Sequence, residues 1–199
     1  VSVIEMLGAY SPYMNEGIYS QPYYIDRIED KNGNVIFENK PQSKEAITAE
    51  SAKLMNLMLQ QVSKEKGTAT RLRSQYGFKE EIACKTGTTQ SNSDGWFIGS
   101  TSNLLTAVWV GADEPSITFA TTRLGQGANS ALPIWAKFYK KATTLPKYKS
   151  GSFFNETDSA TIQKFNCSYQ DDIAPIDSYG SNRQDVDLDS ILPSGKKDY

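Results

Sequence analysis

Three short segments with the composition of strands, joined by brief links, constrain the fold of this chain more than any other feature. They occupy residues 81–88, 95–101 and 104–111. Runs of this length are typical of β-strands, and parallel neighbours would need a crossover of a dozen or more residues between them. The sequence therefore predicts a three-stranded antiparallel meander.

A helix is predicted ahead of these strands, at the start of the chain. Ser2 and Glu5 have the spacing of a capping box, and Gly17 is suited to the residue beyond a helix end near Asn15. Residues at helical spacing mark its packing face: Val3, Ile4, Leu7 and Tyr10.

Two further helices are predicted, one before and one after the strands along the chain. The second helix should begin near Thr48 and end at Gly67, followed by a polar connector over residues 68–80, and the last should span 128–142. Their apolar faces are, in the second helix, Ala52, Leu54, Met55, Met58, Leu59 and Val62, and in the last helix, Leu132, Ile134, Trp135, Phe138 and Tyr139.

A surface hairpin is predicted between the first two helices. Residues 18–29 have the composition of an extended segment, and Asn32-Gly33 is a turn signal before the apolar residues 35–37.

The composition changes after Pro146. We expect one domain over residues 1–145 and a polar extension, rich in Ser, Asp, Asn and Lys, over 146–199. Three strands and three helices form a smaller core than a chain of 199 residues normally holds, so the fold is expected to be incomplete on its N-terminal side. The opening Val1-Ser2, without an initiator Met, indicates a piece of a longer protein.

The absence of histidine excludes whole classes of chemistry. It removes Ser-His-Asp and Cys-His catalysis and most zinc sites, and no cofactor or metal is expected. A net charge of −2 offers no global attraction for nucleic acid, and no apolar run is long enough to span a membrane. The two cysteines, Cys84 and Cys167, could form a disulfide, but two free thiols with Cys84 buried fit their spacing better.

The segment Lys85-Thr86-Gly87-Thr88-Thr89 has the residues of a carboxylate site. On a strand, Lys85 and Gly87 would face one way and Thr86 and Thr88 the other. The ammonium group and the hydroxyls could bind a substrate carboxylate, while the glycine lets a ligand backbone lie close to the strand. Taken alone, the segment could equally be a sheet-edge turn with an exposed lysine.

The surrounding motifs resemble those of penicillin-binding proteins, specifically the transpeptidase domain of the bifunctional, class A type. The motifs follow in the family's order over residues 1 to about 142: Lys85-Thr86-Gly87-Thr88-Thr89, Asp94-x-Trp96-Phe97-x-Gly99, Ala107-Val108-Trp109-Val110-Gly111, and Gly-x-x-Ser-Ala-x-Pro-x-Trp from Gly127 to Trp135. The resemblance implies a mixed α/β (α+β) fold similar to the serine β-lactamases, with an antiparallel sheet flanked by helices.

The same resemblance implies a peptidoglycan D,D-transpeptidase. In that family a serine attacks the D-Ala-D-Ala end of a stem peptide, a second strand's amine takes the acyl group, and β-lactams acylate the same serine. The implied parent is a membrane-anchored bacterial enzyme acting outside the cytoplasmic membrane, with a glycosyltransferase domain beside the transpeptidase.

Site roles also follow from the resemblance. Lys85 and Thr88 are implied as catalytic, Lys85 through electrostatics and proton movement and Thr88 through a backbone N–H that forms half of the oxyanion hole. Thr86, Gly87, Thr88 and Thr89 are implied as substrate-binding residues.

Two of the three transpeptidase motifs have no convincing match. The formal Ser-x-x-Lys strings, Ser63–Lys66 and Ser194–Lys197, lie in the wrong order and are interpreted as coincidental, and 101–103 only approximates Ser-x-Asn. The nucleophile and its base are therefore expected upstream of Val1, in the other half of the domain, and this piece alone is expected to be inactive.

Some residues near the motifs receive structural interpretations. Cys84 stands where the family usually has glycine and is predicted to be a small buried side chain. The three tryptophans are predicted to be core residues, and Asp94 to cap a turn. Two alternatives stay open: a serine β-lactamase or β-lactam sensor, and a non-enzymatic module that binds stem peptides.

Overall fold

The computed structural model describes residues 1–114 and 116–153. Its strands are β1 Ile18–Ser20, β2 Arg27–Glu29, β3 Val35–Glu38, β4 Ser43–Glu45, β5 Ala83–Thr88, β6 Asp94–Thr101 and β7 Leu104–Gly111. Its α-helices are α1 Val3–Met14, α2 Ala49–Gln61, α3 Arg71–Ser74, α4 Thr122–Gly125 and α5 Leu132–Ala142. Most of the predicted extension 146–199, with Cys167 and Ser194, lies outside the described residues.

The three predicted strands form the predicted meander. They pair antiparallel in the order β5-β6-β7, with Lys85 opposite Ile98, Gly87 opposite Trp96, and Trp96 opposite Trp109. Because residues directly opposite each other share a face, this register assigns every side chain of the sheet to one of two surfaces.

The core lies between one face of this sheet and α5. Trp135 stacks on Tyr139 with ring centroids 3.9 Å apart and meets the ring of Phe97 at 5.3 Å. Its indole N–H donates a hydrogen bond to the Gly99 carbonyl at 3.2 Å. The indole fits because position 99 has no side chain: a Cβ there would lie 2.7 Å from the ring.

The prediction that Ile134 and Phe138 pack in this core is wrong. Each is about half exposed, whereas Leu132, Trp135 and Tyr139 are fully buried. The buried stripe of α5 also uses the small residues Ala136 and Ala142, which a count of large apolar side chains overlooks.

The first helix is confirmed, with both hydrogen bonds of its capping box, but Ile4 of its predicted packing face is exposed. The Glu5 N–H donates to the Ser2 hydroxyl at 3.3 Å, and the Ser2 N–H donates to the Glu5 carboxylate at 2.7 Å. Gly17 follows the helix with a φ of +88°, a conformation that favours glycine.

The second helix starts as predicted but ends at Gln61, six residues before Gly67. Met55 and Met58 are exposed rather than packed. Their place is taken by Asn56, which is fully buried and donates its side-chain N–H to the Tyr13 carbonyl at 3.2 Å. A polar anchor therefore joins α2 to the end of α1.

The predicted polar connector over residues 68–80 contributes to the core. It contains the short helix α3, and it buries Ala69, Leu72 and Phe78 in the cluster around Trp135. A helix of four residues is too short to show an apolar period, so the sequence pattern gave no sign of it.

The predicted hairpin is confirmed by β2 and β3, which pair antiparallel around the Asn32-Gly33 turn. Strand β1 pairs instead with β4, which carries the sequence Ser-Lys-Glu and was not predicted. Within the described residues, no helix has the length and apolar character needed to cross a membrane.

Candidate active site

The Lys85–Thr89 segment lines a cavity of about 860 Å³. The opposite wall comes from the start of α1, and the floor comes from the face of the sheet turned away from α5. The other lining residues are Val1, Ser2, Val3, Met6, Tyr10, Ser93, Asp94, Trp96, Ile98, Trp109, Ala112 and Asp113. The structure therefore brings all five residues of the motif to one cleft.

The sheet register separates the two sides of β5. Lys85 and Gly87 lie on the face of Ile98 and Trp96, which line the cavity, whereas Thr86 lies opposite the core residue Phe97. A Cβ at Gly87 would be 3.0 Å from the Trp96 side chain, so glycine leaves room for that indole in the cleft.

Strand β5 is an edge strand of the described sheet. The Thr89 N–H donates to the Asp94 carbonyl at 3.1 Å. Every second residue back along β5, which means Gly87 and Lys85, therefore turns its backbone N–H and C=O groups toward β6. The backbone groups of Thr86 and Thr88 therefore point to the open edge. There the Lys85 ammonium donates to the Thr86 carbonyl at 2.7 Å.

Each threonine hydroxyl of the motif has a partner. The Thr86 and Thr68 hydroxyls are 2.9 Å apart, and the Thr88 hydroxyl accepts a hydrogen bond from the Gly127 N–H at 3.2 Å. The Thr89 hydroxyl lies 2.8 Å from the Ser93 hydroxyl and accepts from the Asp94 N–H at 3.0 Å. The hydroxyl of Thr89 thus closes the turn between β5 and β6.

The tryptophans divide between the two faces of the sheet. Trp135 is in the core as predicted, but Trp96 and Trp109 line the cleft, and the prediction that they are core residues is wrong. Both occupy the face of Lys85, so the parity of positions along the strands was the signal that could have placed them there.

Asp94 closes the turn before β6 through its backbone rather than its carboxylate. Its carbonyl accepts from Thr89 and its N–H donates to the same residue. Its side chain lines the cleft, where Oδ1 is buried and makes no hydrogen bond to the described residues.

Ser63, the serine of the first formal Ser-x-x-Lys string, does not have the surroundings of a nucleophile. It is fully buried, and its hydroxyl oxygen lies 3.0 and 3.1 Å from the Gln60 and Ile82 carbonyl oxygens, to either of which it can donate. Arg73 donates to the same oxygen at 3.3 Å. These contacts support the interpretation of this string as coincidental.

Cys84 is buried, as predicted, and its thiol is free. Desolvation raises its pKa from 9.0 to about 12, although the positive charges of Arg73 and Lys85 act in the opposite direction. A thiol of this kind is almost wholly protonated near neutral pH, which agrees with a packing role.

The chain matches a recognised family. Residues 1–143 match the family described as the penicillin binding protein transpeptidase domain. The chain belongs to that family, as its motifs predicted. It is 33% identical over 145 residues to penicillin-binding protein 1A of Aquifex aeolicus, which corresponds to 73% of this chain and 19% of that protein. The chain thus spans about a fifth of the length of the curated relatives it matches.

Solved structures share the same architecture. Penicillin-binding protein 1A from Haemophilus influenzae matches with a TM-score of 0.66 and 25% identity, over 76% of this chain and 28% of that one. PonA1 from Mycobacterium tuberculosis in complex with penicillin V matches with a TM-score of 0.62 and 24% identity, over 78% and 41%. At that identity the second comparison shows the fold alone. The predicted fold class, a mixed α/β fold with an antiparallel sheet and flanking helices, is confirmed.

Proposed function

We propose that this chain is part of a peptidoglycan D,D-transpeptidase that crosslinks stem peptides by serine acyl transfer. The observation that carries the proposal is the placement of Lys85–Thr89 along one cleft, with the edge of β5 open to it. A peptide that enters the cleft could lie along this edge and pair with the outward backbone groups of Thr86 and Thr88.

In this proposal the motif recognises the D-Ala-D-Ala end of the stem peptide. The carboxylate is bound by the hydroxyls of Thr86 and Thr88 in the positive field of Lys85, and Gly87 lets the substrate approach the strand. Thr89 supports the site by closing the turn at the end of β5. β-Lactams, which carry a carboxylate beside a reactive carbonyl, would occupy the same place.

The proposed catalytic contributions come from Lys85 and Thr88. The Thr88 N–H points to the open edge and would donate to the oxyanion that forms when the serine attacks. Loss of one such donor costs on the order of 3 kcal/mol in comparable sites. Lys85 would assist proton movement near the leaving amine once its ammonium leaves the Thr86 carbonyl, which it contacts in this structure.

The rest of the catalyst is proposed to come from the parent protein. The nucleophilic serine and its base lysine would lie upstream of Val1, so the isolated piece would be inactive. The parent is proposed to be membrane-anchored, to act on the outer side of the cytoplasmic membrane, and to carry a peptidoglycan glycosyltransferase domain.

Labelling of the full-length parent with a fluorescent penicillin tests this function. We expect a long-lived adduct, mapped by mass spectrometry to a serine upstream of Val1. Thr88→Val, which replaces the hydroxyl with a methyl group of similar size, should slow labelling. The matched variant Thr106→Val, on β7 beyond β6 and outside the cleft lining, should label at the wild-type rate. Rapid turnover of penicillin would identify a β-lactamase instead, and no adduct at any concentration would leave a non-enzymatic binding module.

A further inference from the structure

Two sets of hydrogen bonds connect the segment around α3 to the threonine hydroxyls of β5. We propose that Thr68, Arg71 and Gly127 are positioning residues that hold the Thr86 and Thr88 hydroxyls ready to donate to a ligand carboxylate. The inference rests on the proposed function and extends it to residues outside the Lys85–Thr89 motif. We call this set of three residues the threonine clamp.

The first contact of the clamp is direct. The Thr68 hydroxyl lies 2.9 Å from the Thr86 hydroxyl. A hydroxyl has one hydrogen to donate and can accept others, so when Thr68 donates to Thr86, the hydrogen of Thr86 is free for another acceptor. With Thr68 as the donor, the Thr86 hydroxyl can donate to another acceptor, such as a ligand carboxylate.

The second contact acts through a loop. Arg71 donates from one guanidinium nitrogen to the Ala128 carbonyl at 3.1 Å and to the side-chain oxygen of Asn129. These residues follow Gly127, whose N–H donates to the Thr88 hydroxyl at 3.2 Å. Since Gly127 supplies the donor, the hydrogen of Thr88 is left free to point elsewhere.

The loop that carries Gly127 is fixed on its far side as well. The Gly127 carbonyl accepts from the N–H groups of Ala131 and Leu132 at 3.1 and 2.9 Å, at the start of α5. The Asn129 side chain donates to the Arg123 carbonyl at 2.7 Å. The loop that Arg71 binds therefore has little freedom elsewhere. Loss of Arg71 would release the part of the loop nearest β5.

Close backbone contact explains why position 127 is glycine. A Cβ there would lie 2.1 Å from the Trp96 carbonyl oxygen and 2.4 Å from the Gly87 carbonyl oxygen. The loop thus rests directly on β5 and β6, near enough for its N–H to reach Thr88. A side chain at this position would lift the loop and break that hydrogen bond.

Arg73 is a matched control in the same short helix. It also donates to backbone carbonyls, those of Phe78 and Glu80 at 3.0 and 2.6 Å, but among the described residues none of its hydrogen bonds reaches the loop after Gly127. Arg71→Met and Arg73→Met therefore remove the same charge and similar hydrogen bonds, while only the first removes the hydrogen bonds of the clamp to the loop after Gly127.

The test measures acylation of the full-length protein by benzylpenicillin and by its methyl ester, which lacks the free carboxylate. We expect Arg71→Met to lower the acylation rate constant for benzylpenicillin about tenfold, the effect of one lost charged hydrogen bond, and to change that for the ester less than about twofold. Arg73→Met should leave the ratio of the two rate constants unchanged. Combining Arg71→Met with Thr88→Val should add little to Thr88→Val alone, because both act through one hydroxyl.

Amide hydrogen exchange of the segment containing Gly127 gives a readout independent of activity. Arg71→Met and Thr88→Val should each speed exchange there, and Arg73→Met should not. Unchanged exchange in Arg71→Met, or an equal loss with benzylpenicillin and its ester, would overturn the proposal. A wild-type protein that penicillin does not acylate would overturn the proposed function and the catalytic purpose of the clamp, while the exchange data would still decide whether the contacts hold Thr88.

Discussion

The sheet β5–β7 and the hairpin β2–β3 are both antiparallel, both joined by short turns and both rich in β-branched and aromatic residues. They differ in what covers them. Phe97, at the centre of the sheet, is fully buried, whereas every residue of both hairpin strands is exposed, Ile36 by 67%. The comparison teaches that strand pattern and turn chemistry specify pairing, while a packed helix supplies most of the stability.

The largest contrast that follows concerns the thiol of Cys84, on the covered strand β5. Because burial raises its pKa from 9.0 to about 12, its thiolate at pH 8 should be about a thousandfold scarcer than that of an ordinary cysteine. We expect iodoacetamide to leave Cys84 unmodified in the native full-length protein and to modify it in urea, as mapped by mass spectrometry. Rapid native modification would show that the covered sheet opens as readily as an exposed hairpin.

The next largest expected effect is a loss of stability when the helix side of the core is removed. Trp135→Ala deletes the indole that packs on Phe97, Phe78 and Tyr139. We expect a loss of about 3–5 kcal/mol in the free energy of unfolding, measured by urea denaturation. The matched variant Phe37→Ala, in the exposed hairpin, should cost less than about 1 kcal/mol. Equal losses would contradict the contrast between the two regions.

Two glycine substitutions sharpen the same contrast. Gly99→Ala would place a methyl group 2.7 Å from the Trp135 ring, and we expect it to cost about 1–3 kcal/mol by overpacking. In Gly33→Ala, apart from the adjoining residues, no atom of the part of the chain that the structure describes lies within 4 Å of the new methyl group. That change should cost about 1 kcal/mol because of the φ of +85° at this position, and it should destabilise the hairpin only. A larger shift of the global unfolding midpoint for Gly33→Ala would reverse the expected order.

The smallest expected effect is a pH dependence confined to the hairpin turn. The Asp30 carboxylate accepts hydrogen bonds from the Asn34 side chain at 2.7 Å and from the N–H groups of Asn34 and Asn32 at 2.8 Å each, and these bonds lower its pKa from 3.8. A depressed folded pKa means that the stabilisation is complete above the unfolded value and is lost as the pH falls below it. The protection of the turn amides, taken relative to the intrinsic exchange rate at each pH, should therefore fall below about pH 4, while the sheet amides stay protected. Asp30→Asn should remove this pH dependence.

Much of the covered sheet could be predicted from the sequence, because β5, β6 and β7 alternate with period two and their links permit one topology. The alternation alone does not tell which face α5 covers. Trp96 and Trp109 were assigned to the core because they are large and apolar, although their parity with Lys85 places them at the cleft.

Other errors have local physical causes. Strand β4 has no apolar residue, so only its backbone pairing with β1 identifies it. Met55 and Met58 were placed inside because they are apolar, whereas the buried position belongs to Asn56, whose hydrogen bond to Tyr13 joins elements far apart in sequence. The motif Lys85–Thr89 was visible in the sequence, but its supporting residues Thr68 and Arg71 were not, because they meet it only in the folded chain. The substrate-binding and catalytic roles of the motif stay predictions.

The division of the three tryptophans between the two faces of the sheet has an optical consequence. Trp96 and Trp109 lie opposite each other at the cleft, while Trp135 is sealed beneath the other face. Two of the indoles would therefore report on what fills the cleft through the wavelength and intensity of their emission, and the third would give a constant background. Ligand entry beside Lys85 could be followed by intrinsic fluorescence, without any attached dye.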